Sequence, residues 1–363
     1  MQTYPIPMVP GPVKVPQQVL DAMQVNYGSG DLEPEFLELY NQTEEALKKI
    51  YGTRSTMVIQ TGEGMLALWS ALKSMIKPGD RVFSVSTGVF GFGIGEMARS
   101  IGADVRIFEL PFDQTIGALD AIEAQIADFK PKMITAVHCE TPSGTLNPLA
   151  GLGALKEKYN VPLFYVDAVA SAGGAPVLAD VWKIDLCLGG SQKALAVPPS
   201  LSFLTVSERA WEIAAQVGYQ GYDALLPFKT AQKDFYFPYT PDWQGIAGLF
   251  AGAQLLLEEG LENVFARHAS ASAECQRRIQ NMGLALYPQA GAVNSPTVTA
   301  VKVPEQINWA ELDRRFRKEG LVVGGSYGPL ANKVFRLGHM GPQAEPAMVK
   351  AALDVIEHVT KAL

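Results

Sequence analysis

The sequence predicts an α/β protein whose core is a mostly parallel β-sheet. Two observations support this fold class. Short apolar runs of strand length alternate with stretches of helical periodicity over the first two thirds of the chain, which is the pattern of a parallel sheet covered by helices. Several of these apolar runs end in loops rich in small residues. Since ligands of open α/β sheets bind beyond the carboxyl ends of the strands, we expect the functional residues in these loops.

The predicted elements follow one another along the chain. The large sheet is predicted from strand-like runs at residues 56–60, 81–86, 104–109, 132–138, 162–167, 184–188 and 201–206. Helices are predicted at residues 35–51 and 64–76, and the second ends before Pro78–Gly79–Asp80.

The last third of the chain has a different pattern and predicts a smaller α+β domain. After helices at 249–260 and 261–282, the sequence predicts strands and helices at residues 297–303, 310–317, 321–324, 333–338 and from residue 346. We therefore divide the chain into a large domain, residues 15–250, and a small C-terminal domain, residues 251–363. The N-terminal segment, residues 1–14, is expected to pack near the functional site.

The composition predicts a folded protein with an acidic surface. Of the 363 residues, 48% are hydrophobic and 18% are charged, and the net charge is −7. Nucleic acids and anionic membranes both attract a basic face, so we expect neither as a partner. Cys139, Cys187 and Cys275 are too few and too far apart in sequence for a disulfide framework or a zinc site. We predict no metal site, a reducing compartment and, since the first residues carry neither a basic region nor a long apolar run, a cytoplasmic location.

Asp167 and Lys193 are the most informative pair of residues. Asp167 closes the apolar run 162–166, and Lys193 follows Gly189–Gly190–Ser191–Gln192. An acid that neutralises a buried pyridinium, and a lysine in a turn after the next strand, are what pyridoxal chemistry needs. The apolar residues around Lys193 would desolvate its amine and lower its pKa. A surface lysine, and a turn-forming or helix-capping aspartate, are the ordinary alternatives.

On these residues, and on the segment Tyr165–Val166–Asp167–Ala168–Val169–Ala170–Ser171, the chain resembles class V aminotransferases over almost its full length. These are a branch of the fold-type I pyridoxal-phosphate enzymes and include alanine–glyoxylate, serine–pyruvate and pyridoxamine–pyruvate aminotransferases. The resemblance implies a large domain with a seven-stranded type of sheet. It also implies that Lys193 forms the Schiff base with pyridoxal 5′-phosphate and carries the proton, and that Asp167 faces the ring nitrogen.

The resemblance further implies the residues that enclose the cofactor ring. Phe90, in the predicted loop 87–91, matches the aromatic residue that stacks on the ring, and Val169 packs on the opposite face. Thr141 matches the position that bonds the ring hydroxyl or the phosphate side. Without the resemblance, Phe90 would be interpreted as a core residue. His138 is interpreted as a structural histidine, because the lysine already supplies the base.

Arg336 is the predicted substrate-binding residue. It lies in the middle of the apolar run 334–338, where an arginine is costly unless a carboxylate meets its planar fork. A structural ion pair is the alternative. The resemblance implies that Arg336 binds the α-carboxylate and that Gly11 lines the same pocket. No second arginine obviously holds a side-chain carboxylate, which favours alanine or serine over glutamate or aspartate.

The phosphate end is where the sequence departs from the alanine–glyoxylate pattern. Gly62, Glu63 and Gly64 open a predicted helix, and a helix N-terminus with small residues is suited to a phosphate. Relatives that hold the phosphate usually have a small residue at the Glu63 position. Pyridoxamine–pyruvate aminotransferase has glutamate there and binds the unphosphorylated vitamer. Gln192 and Thr240 instead match the phosphate-binding relatives, Thr240 by reaching the phosphate of a neighbouring subunit. Glu63 as an ordinary first-turn helix residue is a further interpretation.

These residues together predict an aminotransferase that moves an amino group from alanine or serine to glyoxylate or pyruvate, with pyridoxal 5′-phosphate as cofactor. The alternative is a pyridoxamine–pyruvate aminotransferase, for which pyridoxal or pyridoxamine is a substrate. A lyase of the cysteine desulfurase type needs a mobile reactive cysteine, and Cys275 lies in a predicted helix. A non-catalytic binder would be expected to lose Lys193, Asp167 or Arg336. The resemblance implies a homodimer, or a tetramer, with active sites at the subunit interface.

Overall fold

The computed structural model describes residues 3–361, so the outer ends of the predicted N-terminal segment (1 and 2) and small domain (362 and 363) lie outside the described residues. Within them the strands are β1 Ile6–Met8, β2 Thr56–Thr61, β3 Arg81–Ser86, β4 Asp104–Glu109, β5 Met133–Val137, β6 Cys139–Glu140, β7 Thr145–Leu146, β8 Leu163–Asp167, β9 Leu186–Gly190, β10 Leu201–Val206, β11 Val298–Lys302, β12 Leu321–Gly325 and β13 Val334–Gly338.

The α-helices of the described residues lie between these strands in the chain and pack on the sheets. In chain order they are α1 Gln17–Met23, α2 Pro34–Ile50, α3 Gly64–Met75, α4 Val89–Ser100, α5 Asp120–Phe129, α6 Ala150–Lys158, α7 Glu208–Val217, α8 Phe228–Asp234, α9 Trp243–Glu259, α10 Leu261–Asn281, α11 Trp309–Lys318 and α12 Pro346–Thr360. No described helix is long and apolar enough to cross a bilayer.

The large sheet has seven strands in the order β2-β10-β9-β8-β5-β3-β4. Only β10 runs antiparallel to its two neighbours, so the prediction of a mostly parallel, seven-stranded sheet is confirmed. Every residue of β5, β8, β9 and β10 is buried, because helices cover both faces of a parallel sheet. The carboxyl ends of the parallel strands therefore lie along one edge, where the predicted site loops follow them.

Strand β9 lies two residues later than predicted, because it includes Gly189 and Gly190. A Cβ atom on Gly189 would lie 2.0 Å from the Tyr51 hydroxyl oxygen, and one on Gly190 would lie 3.2 Å from the Cα of Gly64. Both glycines are therefore strand residues that allow neighbouring elements to pack closely. Glycine ordinarily indicates a turn, which explains the error in the predicted range.

The prediction of a loop at residues 87–91 is wrong, because helix α4 begins at Val89 and places Phe90 in its first turn. The glycines of this helix have low helix propensity and conceal it in the sequence. Glycine is needed at these positions because the helix packs closely on the sheet. A Cβ on Gly91 would lie 3.0 Å from the Cα of Ser86, and one on Gly95 would lie 2.8 Å from the Ile107 side chain.

The second, smaller sheet has the order β1-β12-β13-β11. Its edge strand β1 was not predicted and pairs in parallel with β12, so that Ile6 lies opposite Leu321. A three-residue strand with a proline in its centre carries too little apolar pattern to be recognised in a sequence.

The buried apolar side chains form one large cluster around the seven-stranded sheet and a smaller one around the second sheet. Helix α9 packs within the large cluster through residues such as Leu249. Helix α10 contributes Val264 to the large cluster and Cys275 to the small one. The boundary at residue 250 stays a prediction.

Candidate active site

A cavity of about 560 Å³ opens at the carboxyl edge of the large sheet. Its wall combines the N-terminal segment, the residues that follow β2, β3, β5, β8 and β9, and residues of β13 and the segment before it. Most of the predicted site residues lie in this wall: Gly11, Glu63, Gly64, Phe90, Thr141, Asp167, Val169, Gln192, Lys193 and Arg336. The fold thus brings together residues that are far apart in sequence.

Gly62 and Thr240 do not contribute to this wall. Gly62 shapes the turn before α3: it has a φ of +146°, and its N–H donates to the Ser200 carbonyl oxygen over 2.7 Å. A Cβ atom there would lie 2.5 Å from the Leu66 side chain. Thr240 is exposed, between α8 and α9, and its predicted contact across a subunit interface stays a prediction.

Lys193 projects into the cavity from the turn after β9. The residues that follow it, 194–197, are buried, and its ammonium group donates a hydrogen bond to the carbonyl oxygen of Pro10. Burial, together with the positive charge of Arg336, lowers the pKa of Lys193 from its ordinary value to about 8. About a tenth of the amine is therefore neutral and nucleophilic at pH 7.

Gly11 is held against this lysine. Its φ is +98°, in the left-handed region, and a Cβ atom there would lie 2.7 Å from Lys193 Nζ. Any other residue would displace the amine, so the glycine is required both by its backbone conformation and by the close approach of the lysine.

Asp167 ends β8 with its carboxylate at the cavity wall. It is only 6% exposed, and Oδ1 accepts a hydrogen bond of 2.9 Å from the Val169 backbone N–H. Burial raises the pKa of Asp167 to about 6. A cationic group placed against this carboxylate would lower its pKa again, because an opposite charge favours the ionised form.

The walls beside Asp167 are apolar. Val169 and Phe90 are half-buried and both line the cavity. A Cβ atom on Gly64 would lie 3.5 Å from the Val169 methyl groups, so the start of α3 packs directly behind this valine. Thr141 is 3% exposed and also lines the cavity.

Glu140 supports the Phe90 wall, and sequence reasoning missed it. It is fully buried, and its carboxylate accepts hydrogen bonds from the backbone N–H groups of Phe90, over 3.2 Å, and Gly91, over 2.7 Å. It thus caps the N-terminus of α4, where a negative charge is favourable. Burial raises the pKa of Glu140 to about 7. The available signal was a charged residue in an otherwise small and uncharged loop.

Glu63 is the N-cap of α3 and uses both carboxylate oxygens. Oε2 accepts a hydrogen bond of 2.9 Å from the Met65 backbone N–H, and Oε1 accepts one from the Gln192 side-chain amide. Gln192 Oε1 is buried and has no hydrogen-bond partner among the described residues. Two donors that an anion could use at this helix N-terminus, the Met65 N–H and the Gln192 amide, are therefore occupied by a carboxylate of the protein itself.

Arg336 lies in β13 and is 3% exposed. Its Nε and Nη2 atoms donate to the carbonyl oxygen of Gly325, and no carboxylate of the described residues forms a salt bridge with it. Burial lowers the pKa of its guanidinium. A buried guanidinium without a carboxylate partner is a site for an anionic ligand.

Comparison with known proteins agrees with this geometry. Residues 9–334 match the profile of the class V aminotransferase family. The chain is 32% identical to the pyridoxamine–pyruvate transaminase of Mesorhizobium japonicum, over 98% of this chain and 93% of that protein. It is 34% identical to the serine–glyoxylate aminotransferase of Arabidopsis thaliana, over 92% of this chain and 84% of that protein.

A solved structure shows the same architecture. The crystal structure of ureidoglycine–glyoxylate aminotransferase from Bacillus subtilis aligns with a TM-score of 0.94 and 30% identity, over 100% of this chain and 94% of that one. With a lysine, an acid and a free arginine in one cavity, and a family match over most of its length, this chain belongs to the class V aminotransferases and is a transaminase.

Proposed function

We propose that this protein transfers the amino group of a small amino acid, alanine or serine, to a small 2-oxo acid, glyoxylate or pyruvate, with pyridoxal 5′-phosphate as cofactor. The observation that carries the proposal is the convergence of Lys193, Asp167 and the unpaired Arg336 on one cavity. Pyridoxal phosphate, when bound, supplies an electron sink for charge on the Cα atom of the amino acid.

The cavity suits the ring of such a cofactor. Val169 and Phe90 would pack their apolar side chains against the ring, and Asp167 offers a buried carboxylate with only one hydrogen-bond donor among the described residues. The buried, unpartnered Oε1 of Gln192 is a further acceptor that calls for a ligand donor. The role of Asp167 is to hold a proton on the ring nitrogen, because an ion pair there offsets the cost of burying its carboxylate.

Lys193 binds the cofactor and moves the proton. With its pKa lowered to about 8, its neutral amine is available to attack an aldehyde and, once released, to take the proton from Cα of the amino acid. The contact with the Pro10 carbonyl oxygen orients the amine, so the N-terminal segment acts in positioning the base.

Arg336 binds the α-carboxylate of both substrates. Lys193 and Arg336 are the cations among the described residues of the cavity wall, so a second carboxylate on the substrate side chain would enter an apolar site without a partner. Burying such a charge unpaired is costly. This supports small, uncharged amino acids as substrates.

A second candidate function is favoured by Glu63. Its carboxylate occupies the Met65 and Gln192 donors at the start of α3, where a phosphate would bring a second negative charge. Free pyridoxal or pyridoxamine has a hydroxymethyl group instead, which can donate a hydrogen bond to Glu63. In this case the protein would be a pyridoxamine–pyruvate aminotransferase. The phosphate-bound state requires the exposed Glu63 side chain to turn toward solvent.

We extend the proposal to the assembly and location. A homodimer, or a tetramer, would place the exposed Thr240 of one subunit near the phosphate of its neighbour. The three free, buried cysteines among the described residues suit a reducing, cytoplasmic compartment.

The test is direct. Mass spectrometry of the small molecule released from purified protein distinguishes pyridoxal phosphate from the free vitamer. Adding alanine and glyoxylate to the loaded protein should yield pyruvate and glycine, and the absorbance of the bound vitamer should change when alanine is added alone. A loaded protein that binds alanine and glyoxylate but forms neither product would contradict the proposal.

A further inference from the structure

Tyr327 covers the carboxylate-binding arginine. It lies in the segment between β12 and β13, lines the cavity and is 54% exposed. The centroid of its ring lies 4.7 Å from Cζ of Arg336, a distance typical of a cation–π contact. An aromatic ring that is half exposed, and lies over a buried cation in the cavity wall, separates that cation from solvent.

The hydrogen bonds of Arg336 leave one edge of its guanidinium for a ligand. A guanidinium carries five N–H groups, and the carbonyl oxygen of Gly325 takes that of Nε and one of Nη2. The edge between Nη1 and Nη2 remains, and a carboxylate fits it with two parallel hydrogen bonds. A carboxylate bound at this edge lies in the plane of the guanidinium, with the Tyr327 ring close by.

The segment that carries Tyr327 is anchored on both sides. The Ser326 hydroxyl donates to the Pro142 carbonyl oxygen over 2.9 Å, and the Leu330 N–H donates to the Tyr327 carbonyl oxygen over 3.0 Å. On the other side of the mouth, a Cβ atom on Gly328 would lie 3.5 Å from a Val89 methyl group. The backbone that carries the ring is thus anchored beside the first turn of α4.

We propose that Tyr327 is a specificity-determining residue of the transaminase. Its ring bounds the space beside the Arg336-bound carboxylate, so the site accepts amino and 2-oxo acids with one carboxylate and a short side chain and rejects longer or dicarboxylic ones. This inference rests on the proposed function and names the residue that sets its substrate limit. Tyr327 contacts the substrate-binding arginine and takes no part in proton transfer.

The test compares Tyr327→Ala with the matched control Tyr327→Phe, which keeps the ring and removes only the hydroxyl. In Tyr327→Ala we expect KM for alanine to rise about tenfold, because the guanidinium loses its cation–π partner and is exposed to water. We expect the ratio of kcat/KM for 2-aminohexanoate to that for alanine to rise about tenfold as space opens for the longer chain. Tyr327→Phe keeps the ring, so its preference between the two amino acids should stay that of wild type, and both variants should bind the vitamer like wild type.

An equilibrium measurement separates this inference from the proposed function. Calorimetric titration of pyruvate and of 2-oxohexanoate into the loaded protein reports the carboxylate subsite without turnover. A wild type that prefers pyruvate but transfers no amino group would contradict the proposed function alone. A Tyr327→Ala variant with an unchanged preference between the two oxo acids would overturn the role of Tyr327. Tyr327→Leu, which keeps apolar bulk, gives a second variant should the alanine variant fold poorly.

Discussion

The carboxylate of Glu140 accepts a hydrogen bond of 2.7 Å from the backbone N–H of Gly91, although the two residues are 49 positions apart. This contact fixes the first turn of α4 against the hairpin of β6 and β7. Because Phe90 lies in that turn, the buried carboxylate determines where one face of the cavity stands. A Cβ atom on Gly88 would lie 2.5 Å from the Glu140 carboxyl carbon, so the fit tolerates no added atom.

Replacing Glu140 should therefore destabilise the protein in a pH-dependent way. Glu140→Ala leaves two buried N–H groups without acceptors, and we expect a loss of about 2 to 4 kcal/mol in the free energy of unfolding. The folded-state pKa of about 7 lies above the ordinary value of 4.5, so the wild type loses stability as pH rises through this interval. Glu140→Gln lacks this titration and should gain stability relative to wild type from pH 5 to pH 8. Denaturant titrations of wild type and Glu140→Gln at several pH values check this. If the stabilities of the two proteins changed in parallel with pH, the prediction would be contradicted.

His138 should contribute the opposite pH dependence. It is buried, and Ser171 lies 2.9 Å from its Nδ1. Burial lowers its pKa from 6.5 to about 4. The stability of the neutral form is therefore fully present above pH 6.5 and is lost as pH falls toward 4, by about 3 kcal/mol. We expect His138→Asn to show a flatter stability profile over this range than wild type in denaturant titrations. A steeper profile would mean that His138 is protonated in the folded protein.

Lys193→Ala should abolish transamination and the adduct that borohydride traps between the protein and pyridoxal. Of the described residues that line the cavity, only Lys193 is a lysine, so no neighbouring amine can replace it. Circular dichroism should show an intact fold, since the variant relieves the burial of a cation. Mass spectrometry of the borohydride-treated variant is the measurement, and a retained adduct would move the attachment to another lysine.

Arg336→Lys should weaken substrate binding much more than vitamer binding. A lysine is a point charge and cannot reproduce the two parallel hydrogen bonds of the Nη1–Nη2 edge, so we expect KM for alanine to rise about tenfold or more. Vitamer affinity should stay within about twofold, because the ring contacts lie elsewhere in the wall. Steady-state kinetics give KM for alanine, and a vitamer titration gives the affinity for the vitamer. An equal loss in both would indicate a structural role for the arginine.

Glu63→Ala distinguishes the phosphorylated from the free vitamer. If the phosphate binds at α3, removing a neighbouring carboxylate should leave or improve affinity for pyridoxal phosphate, because the Met65 and Gln192 donors become free. If the free vitamer binds, the loss of a charged acceptor should weaken it by about 1.5 to 3 kcal/mol.

Glu63→Gln is the matched control for this experiment, since it keeps the side-chain length and removes the charge. Absorbance titrations of both vitamers into wild type and the two variants provide the comparison. If wild type binds only the phosphorylated vitamer, and its affinity is unchanged in both variants, the hypothesis of a pyridoxamine–pyruvate aminotransferase is excluded.

The sequence predicts those features that depend on local pattern. The bounds of β4 and β10 agree with their predicted ranges, because turn residues flank both strands. Asp167, Lys193 and Arg336 were found because each is a charged residue in an apolar setting. All three line the cavity.

Features that depend on long-range contacts were missed. Glu140 gains its role only when the fold brings it to Gly91, and Tyr327 only when β12 and β13 set its ring over Arg336. The charge of Glu140 in a loop of small residues marks it as unusual but does not show what it contacts, and nothing around Tyr327 distinguishes that side chain from an ordinary loop residue. The same holds for Gly189 and Gly190, whose close packing partners include Tyr51 after α2, Gly64 in α3 and Phe203 in β10.

The pairing of β1 with β12 has a consequence for the chain during translation. Strand β1 cannot pair until β12 has been synthesised, because Ile6 pairs with Leu321. Lys193 precedes β12 in the chain and leaves the ribosome earlier. In the nascent chain the cavity around Lys193 is therefore incomplete, because Arg336 has not been made and Pro10 and Gly11 are not yet held in the wall. Because a ligand stabilises the state that binds it, a ligand of this cavity also stabilises the pairing of β1 with β12, since Pro10 and Gly11, which follow β1, line the cavity.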